Sequence, residues 1–378
     1  MLDWQTHKIL CNITIDHQGL PTNEEINQYC GNELTTTWQT TPACDLSKGC
    51  RGAYLHLASS QIVTNQTSQE TEVSSPPLLD IQQLEPKTYV DTCALIWQSP
   101  PTFRPPWLAI PSNSISIATY NDYYYLAGRL IGNGLVNASN CPSGGLRGNG
   151  YANECGMDAA RDLNIFWQNQ FDTNIIDDAL EVGIPATMLK NLFAQESQFW
   201  PGTFIQPYQF TPRHFGLGQI TNPGVDVLLM YDTNFYNETC KLFLSKETCS
   251  VSYVRLSREN KDILRGAVVA QVNADCPECV TGVDLERTKL SISLTAQVLV
   301  ANCIQIGEIV SRVTLYNPGS VATYEDLWRF TIGNYHVGSG RMANAINKSW
   351  NKFHVLTWSD VAPHIKDEDV IRYVDNLD

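Results

Sequence analysis

Twelve cysteines are distributed along the whole chain of 378 residues, and they constrain how it can fold. They lie at positions 11, 30, 44, 50, 93, 141, 155, 240, 249, 276, 279 and 303. An even number of cysteines spread over every part of a chain is typical of a disulfide framework formed in an oxidising compartment. The pattern therefore predicts an extracytoplasmic protein, either secreted or held in the cell envelope.

Disulfides explain this cysteine pattern better than a metal site or a redox motif does. Only Cys276 and Cys279 have the CxxC spacing, and a four-ligand zinc site needs a second such pair or a pair of histidines, neither of which is apparent. A thioredoxin-like site places its CxxC between a strand and a helix, whereas this pair follows the polar residues Asn273 and Asp275. We therefore expect no metal and no cofactor.

The cysteine positions also limit which pairs can form. Close neighbours such as Cys44 with Cys50, Cys141 with Cys155 and Cys240 with Cys249 form the easiest loops to close. Residues 1–98 contain five cysteines, an odd number, so at least one bridge should reach past residue 98. The sequence thus predicts that the front of the chain is covalently tied to its back.

Charge excludes some classes of partner. The chain has 39 Asp and Glu against 25 Lys and Arg, for a net charge of -14, and its basic residues form no cluster longer than a dipeptide. Nucleic-acid binding needs basic surface to neutralise phosphates, so we expect no nucleic-acid partner. No uninterrupted apolar run approaches the roughly 18–20 residues that cross a bilayer, so we also expect no transmembrane segment.

Composition divides the chain into three parts. Residues 1–98 are rich in Thr, Ser, Gln and Asn, and short alternating stretches at 8–15 and 53–57 predict strands. Residues 99–157 open with a proline-rich stretch that cannot sustain a helix, and they predict a linker with one helix and a Gly-rich cysteine loop. Residues 158–378 have helical periodicity. We therefore expect an α+β protein, with a β-rich, disulfide-bonded amino-terminal region followed by an all-α domain.

One helix of the all-α part carries a carboxylate in an unusual place. Apolar residues at Leu189, Leu192 and Phe193 are followed by Glu196 at the i+7 position, so Glu196 lies on the buried stripe of a helix over about 186–199. Removing a carboxyl group from water favours its protonated form, which is the form that a general acid must carry. We interpret Glu196 as a general acid; the alternative is a helix-terminal glutamate that faces water.

Three further motifs accompany this helix. Leu189-Lys-Asn-Leu-Phe-Ala-Gln-Glu-Ser197 precedes Gly216-Leu-Gly-Gln219, and Asn334-Tyr-His-Val-Gly338 and Ile371-Arg-Tyr-Val374 follow later. In this order they resemble the motifs of the soluble lytic transglycosylases, whose fold is close to that of goose-type lysozymes. The resemblance covers about 172–376. It departs from the family's Ala-Tyr-Asn-x-Gly motif twice, with Asn334 in place of Ala and His336 in place of Asn.

The resemblance implies an enzyme that cleaves the β-1,4 bond between N-acetylmuramic acid and N-acetylglucosamine in peptidoglycan glycan strands. Glu196 would protonate the glycosidic oxygen and then accept a proton from the C6 hydroxyl, which closes a 1,6-anhydro ring. Ser197, Gln219 and Tyr335 would support substrate binding, whereas His336 has no assigned task. An aromatic cluster could line a sugar groove or serve the core; it comprises Phe199, Trp200, Phe204, Tyr208 and Phe210.

Three alternatives remain open at this point. The first is a hydrolytic muramidase of the same fold, which needs a second carboxylate; Asp226 and Asp232 are candidates, although solvated surface positions suit both better. The second is a non-catalytic module that binds peptidoglycan or another glycan. The third is a surface or assembly protein that uses the helical domain as a scaffold, because fold and function separate readily.

Overall fold

The computed structural model describes residues 89–202 and 214–377, together with the backbone of four two-residue strands nearer the amino terminus. Strands β1 (Leu2–Asp3) and β2 (Lys8–Ile9) pair antiparallel, as do β3 (Trp38–Gln39) and β4 (His56–Leu57). The chain divides into two compact units, Met1–Leu84 and Glu85–Asp378.

The predicted α+β class, with its β-rich amino-terminal region, is wrong for the residues that the structure describes. The predicted strands at 8–15 and 53–57 contain β2 and β4, and their remaining residues lie outside the described part. Residues 89–98 of the same region contain a helix, α1 (Thr92–Trp97). Asp91 caps α1 by accepting from the backbone amide of Ala94 at 2.9 Å, a local interaction that favours a helix start over a strand.

The described part is otherwise built from helices joined by loops and short 3-10 turns. Helix α1 is followed by α2 (Tyr124–Gly132), α3 (Glu154–Asn169), α4 (Asp172–Val182), α5 (Ala186–Ser197), α6 (Asn222–Tyr231), α7 (Thr233–Phe243), α8 (Arg258–Val272), α9 (Leu285–Thr314), α10 (Pro318–Val321), α11 (Tyr324–Val337), α12 (Ser339–Phe353), α13 (Trp358–Val361) and α14 (Glu368–Asp375). The helical periodicity that predicts an all-α domain after residue 158 is therefore confirmed.

Local signals set the ends of several helices. Thr323 accepts from the backbone amide of Asp326 at 3.1 Å, so Thr323 is the N-cap of α11. Helix α11 ends at Gly338, whose φ of 81° suits a residue without a Cβ atom. Gly183 ends α4 with a φ of 76°. An added Cβ on Gly183 would lie 2.1 Å from the carbonyl oxygen of Val90, so glycine is needed there for space as well.

Helix α9 forms the centre of the second unit and contacts α1, α4, α6, α8, α11 and α12. It has 30 residues, and an 18-residue window of it has a mean hydropathy of 1.5, enough by length and composition to cross a membrane. However, 72% of that window is buried within the protein, which is the burial of a core helix. Serine, threonine and glutamine interrupt its apolar residues, so it contains no uninterrupted apolar run of that length.

Four disulfides join cysteines of the described residues. They are Cys93–Cys303, Cys141–Cys155, Cys240–Cys249 and Cys276–Cys279. The expected bridge past residue 98 is confirmed by Cys93–Cys303, which links α1 to α9 across 210 residues. The CxxC pair, Cys276 and Cys279, forms one of these disulfides. Four disulfides among the described residues indicate an oxidising environment. The predicted pair Cys44–Cys50 lies outside the described residues.

The Cys93–Cys303 bridge lies in the core, where Trp97 packs beside it. The indole nitrogen of Trp97 donates to the carbonyl oxygen of Cys303 at 2.9 Å, and its ring meets that of Trp328 edge-on at 5.2 Å. We expect the double substitution Cys93→Ser/Cys303→Ser to lower the free energy of unfolding by about 5 kcal/mol, because the bridge closes a loop of 210 residues in the unfolded chain.

Urea denaturation of that variant measures the effect, and Cys240→Ser/Cys249→Ser is the matched control. The control bridge spans 9 residues, so its loop-closure contribution to the free energy of unfolding is smaller by roughly 3 kcal/mol. An equal loss of stability in the two double variants would contradict the loop-closure account.

Candidate active site

Glu196 lies in the last turn of α5, on the side of the helix that faces the core. Leu189, Leu192 and Phe193 on the same stripe have no exposed surface, which confirms the predicted buried face. The Glu196 side chain itself is 13% exposed, so it reaches solvent from a mostly buried position. Helix α5 ends just after it because Gln198 and Phe199 have φ values of 46° and 63°. The helix therefore presents this carboxylate at its end, where a substrate can reach it.

Tyr373, from the last helix of the chain, holds the Glu196 carboxylate. Its hydroxyl donates to Glu196 Oε1 at 2.5 Å. Burial, followed by the charge of Glu196, raises the pKa of Tyr373 well above its usual value, so the hydroxyl keeps its proton and remains a donor. Helix α14 is fixed against α5 by Asn191 Nδ2, which donates to the Leu377 carbonyl at 2.9 Å, and by Gln195 Nε2, which donates to the Asn376 carbonyl at 3.1 Å.

Tyr335, on α11, is bound to the glycine-rich turn. Its hydroxyl donates to the carbonyl oxygen of Gly218. Burial raises the pKa of Tyr335 well above its usual value, and the charge of Glu196 raises it further. The structure therefore joins two of the predicted features directly, the tyrosine and the Gly216–Gln219 turn.

The turn itself needs glycine because it packs tightly on α9. Gly216 has a φ of 67°, and a Cβ atom there would lie 2.3 Å from the Cβ of Ser291. A Cβ atom on Gly218 would lie 2.4 Å from Thr295 Oγ1 and 3.0 Å from the Tyr335 hydroxyl. Backbone hydrogen bonds between Phe215 and Ile220 close the turn. Only small residues allow this backbone to approach both α9 and Tyr335.

Gln219 and Ser197 have partners within the protein. Gln219 is 6% exposed, has a φ of 49°, and donates from Nε2 to the carbonyl of Gly216 at 2.8 Å. Its amide nitrogen therefore stabilises the turn, whereas its amide oxygen is the acceptor that a ligand could use. Ser197 is 5% exposed and donates to the carbonyl of Phe193 at 3.1 Å, so its hydroxyl bonds its own helix rather than facing a groove.

His336, to which the sequence assigns no task, also lies near Glu196. Its Nδ1 lies 3.9 Å from Glu196 Oε1, and its ring is stacked on that of Tyr373 with centroids 4.1 Å apart and planes 17° apart. His336 and Tyr373 thus both lie beside the carboxylate. Tyr373 belongs to the Ile371-Arg-Tyr-Val374 segment, and that resemblance was the one signal in the sequence that could have identified it.

A buried ion pair supports α5 below this site. Lys190 Nζ lies 2.7 Å from Asp172 Oδ1 and 2.8 Å from Oδ2, and it donates to Asn169 Oδ1 at 2.7 Å. The Lys190 and Asp172 side chains are 1% and 3% exposed. Burial raises the pKa of Asp172 and lowers that of Lys190, and the opposite charge of the partner counteracts both shifts. The pair therefore links the start of α4 to α5.

Comparisons of the chain with protein-family models, with curated proteins and with solved structures give no match. The chemistry of the site is accordingly argued from its residues. Among the described residues, no group of three His, Cys, Asp or Glu side chains could hold a metal ion.

The two aspartates considered as second carboxylates have structural partners. Asp226 accepts from the hydroxyl of Tyr253 and lies 2.7 Å from Arg265 Nε. Asp232 caps α7 by accepting from the amide of Phe235 at 2.9 Å. The sequence favours solvated surface positions for both, whereas they are partly buried and bound within the protein.

The aromatic cluster after Glu196 is partly a core feature. Phe199 and Trp200 are 0% and 1% exposed, and Trp200 stacks on Trp167 at 5.5 Å. Phe204, Tyr208 and Phe210 lie outside the described residues. Two clefts of about 410 Å³ and 310 Å³ occur elsewhere, the first against α9 and the second against α8, and neither is lined by Glu196. The candidate site is therefore defined by its chemistry rather than by cleft volume.

Proposed function

We propose that this chain is a peptidoglycan lytic transglycosylase with Glu196 as its acid and base. The observation that carries the proposal is the setting of Glu196: a carboxylate at the end of a buried helix stripe, 13% exposed, with its Oε1 atom bound by Tyr373. In this proposal the other carboxylate oxygen, Oε2, contacts the substrate. A positioned carboxyl group with one reactive oxygen is what proton transfer to a glycosidic oxygen requires.

The proposed reaction uses this group twice. Protonated Glu196 gives its proton to the glycosidic oxygen, and the bond between that oxygen and C1 of the muramic acid ring breaks. The C6 hydroxyl of the same ring then attacks C1 and passes its proton to the Glu196 carboxylate. A 1,6-anhydro ring forms, Glu196 regains its proton, and no water is consumed.

The neighbours of Glu196 support this cycle. Tyr373 keeps its proton and fixes Oε1 in both protonation states of the acid. Tyr335 fixes the Gly216–Gln219 turn, from which Gln219 would accept a hydrogen bond from a sugar hydroxyl or amide. The proposed role of Gln219 in binding the sugar rests on the resemblance to the transglycosylase motifs.

The acidic groups near the site favour a transglycosylase over a muramidase. Among the described residues, the two candidates for a second carboxylate have other partners: Asp226 pairs with Arg265, and Asp232 caps α7. Segment 203–213, which follows α5, contains no Asp or Glu. Hydrolases of this kind use a second carboxylate to direct water, whereas an internal C6 hydroxyl needs none.

Digestion of purified sacculi in water enriched in oxygen-18 tests the proposal. A transglycosylase releases anhydro products that are one water lighter than hydrolysed ends and carry no oxygen-18. Labelled products would instead support the muramidase. Binding to sacculi without any release would support a non-catalytic glycan-binding module, and neither binding nor release would overturn both readings.

The same proposal covers location and partner. The four disulfides of the described residues indicate an oxidising environment, and peptidoglycan lies outside the cytoplasmic membrane. We therefore place the protein among secreted or cell-envelope proteins, with glycan strands as its partner. A neutral sugar backbone can be bound by amide and aromatic groups, which suits a chain with a net charge of -14.

A further inference from the structure

His336 is the most accessible ring beside Glu196. Its side chain is 37% exposed, whereas Tyr335 and Tyr373 are partly buried. One face of the imidazole lies against Tyr373, with ring centroids 4.1 Å apart. Its Nδ1 edge points toward Glu196 Oε1 at 3.9 Å. The exposed area must therefore include the opposite face and the outer edge of the ring.

The stack on Tyr373 fixes this ring in place. Tyr373 is itself held by its hydrogen bond to Glu196 at 2.5 Å, so the imidazole rests on a side chain that cannot easily move. Its neighbour Tyr335 is anchored to the Gly218 carbonyl, which limits rotation of this turn of α11. A rigid aromatic face beside a catalytic acid binds a ligand ring with little loss of conformational entropy.

We propose that His336 is a substrate-binding residue on which the saccharide ring next to the scissile bond stacks. The apolar face of an N-acetylhexosamine carries C–H groups that pack against an aromatic ring, and the outer ring nitrogen of His336 can hydrogen-bond a sugar hydroxyl. Phe199 and Trp200 are buried and cannot serve this purpose. The inference rests on the proposed function for its substrate class.

Binding to an uncharged N-acetylglucosamine tetramer tests this inference apart from turnover. Calorimetry is carried out with Glu196→Gln as the background, so that the ligand stays intact. Adding His336→Ala or His336→Asn is expected to weaken binding about 5–10-fold, because each removes an aromatic face worth roughly 1 kcal/mol. Adding His336→Phe keeps the face and is expected to hold the Kd within about twofold.

The controls separate stacking from other roles. His354→Ala removes a histidine that contacts Trp350 instead, and it should leave the Kd unchanged. Circular dichroism checks that every variant stays helical. Equal binding by the parent and His336→Ala would overturn the inference, as would a His336→Phe variant as weak as His336→Ala. Absence of any tetramer binding by the parent would overturn it too.

Kinetics on sacculi distinguish this inference from the proposed function. In otherwise unaltered protein, His336→Ala should raise KM with kcat within about threefold, because stacking contributes to the bound ground state and the transition state alike. Cleavage with an unchanged KM would reject the stacking role and leave the transglycosylase in place. If His336→Ala loses tetramer binding but the wild-type protein does not cleave sacculi, the stacking role would stand and the transglycosylase would be rejected.

Discussion

Replacing Glu196 with glutamine is expected to reduce release of anhydro-muropeptides from sacculi by roughly 10²–10⁴-fold. Glutamine has nearly the same shape, and its amide oxygen can still accept from the Tyr373 hydroxyl, which lies 2.5 Å from Oε1 in the wild type. The variant should therefore fold normally. It cannot donate a proton to the glycosidic oxygen or take one from the C6 hydroxyl, so both halves of the proposed cycle are lost.

Mass spectrometry of the soluble products at several times gives the two rates. Glu259→Gln is the matched control, because Glu259 is exposed in the first turn of α8 and should be replaceable without loss of activity. A Glu196→Gln variant that keeps more than about a tenth of the wild-type rate would show that another group supplies the proton. Equal losses of rate in the two variants would point to a general effect of removing one negative charge.

The part of this site that could be predicted from sequence is the part set by local pattern. Glu196 follows Leu189, Leu192 and Phe193 at helical intervals, and a stripe of that kind fixes which side of a helix is buried. The contact of Tyr373 with Glu196 joins residues 177 positions apart. Nothing in the helical period of α14 distinguishes Tyr373 from any other partly buried tyrosine, so only its motif resemblance pointed to it.

The failed fold prediction has a similar cause. The prediction extended the strand pattern of the stretches 8–15 and 53–57 to the whole of residues 1–98, although that pattern does not include residues 89–98. In residues 89–98, the cap on α1 and the packing of Cys93 and Trp97 against α9 favour a helix instead. The cysteine prediction succeeded because it depended on parity, which is independent of local conformation.

Lys190 shows a further limit of sequence patterns. It lies one position beyond Leu189, where a helical wheel predicts a solvent-facing lysine, yet it is 1% exposed. Helix α5 is covered on this side too, because α4 packs along it. The charge remains buried because Asp172 and Asn169 provide its hydrogen bonds.

Breaking this ion pair from one side is expected to destabilise the protein strongly. Lys190→Met keeps the length of the side chain but leaves the Asp172 carboxylate 3% exposed without its cation. We expect the free energy of unfolding to fall by about 3–5 kcal/mol, the range found when one partner of a buried pair is removed. Asn169 keeps its bond from the amide of Thr119 at 2.8 Å, so the loss is concentrated on Asp172.

A double variant separates the penalty of the orphaned charge from the value of the pair. In Asp172→Leu/Lys190→Met no buried charge remains, so we expect it to recover at least about 2 kcal/mol relative to Lys190→Met, measured by urea denaturation. The control Lys289→Met breaks an exposed pair with Glu286 at 2.8 Å and should change stability by less than about 1 kcal/mol.

If the double variant were no more stable than Lys190→Met, the loss would come from packing of the lysine chain rather than from the unpaired carboxylate. In that case Lys190 would act on α5, and so on Glu196, through shape alone.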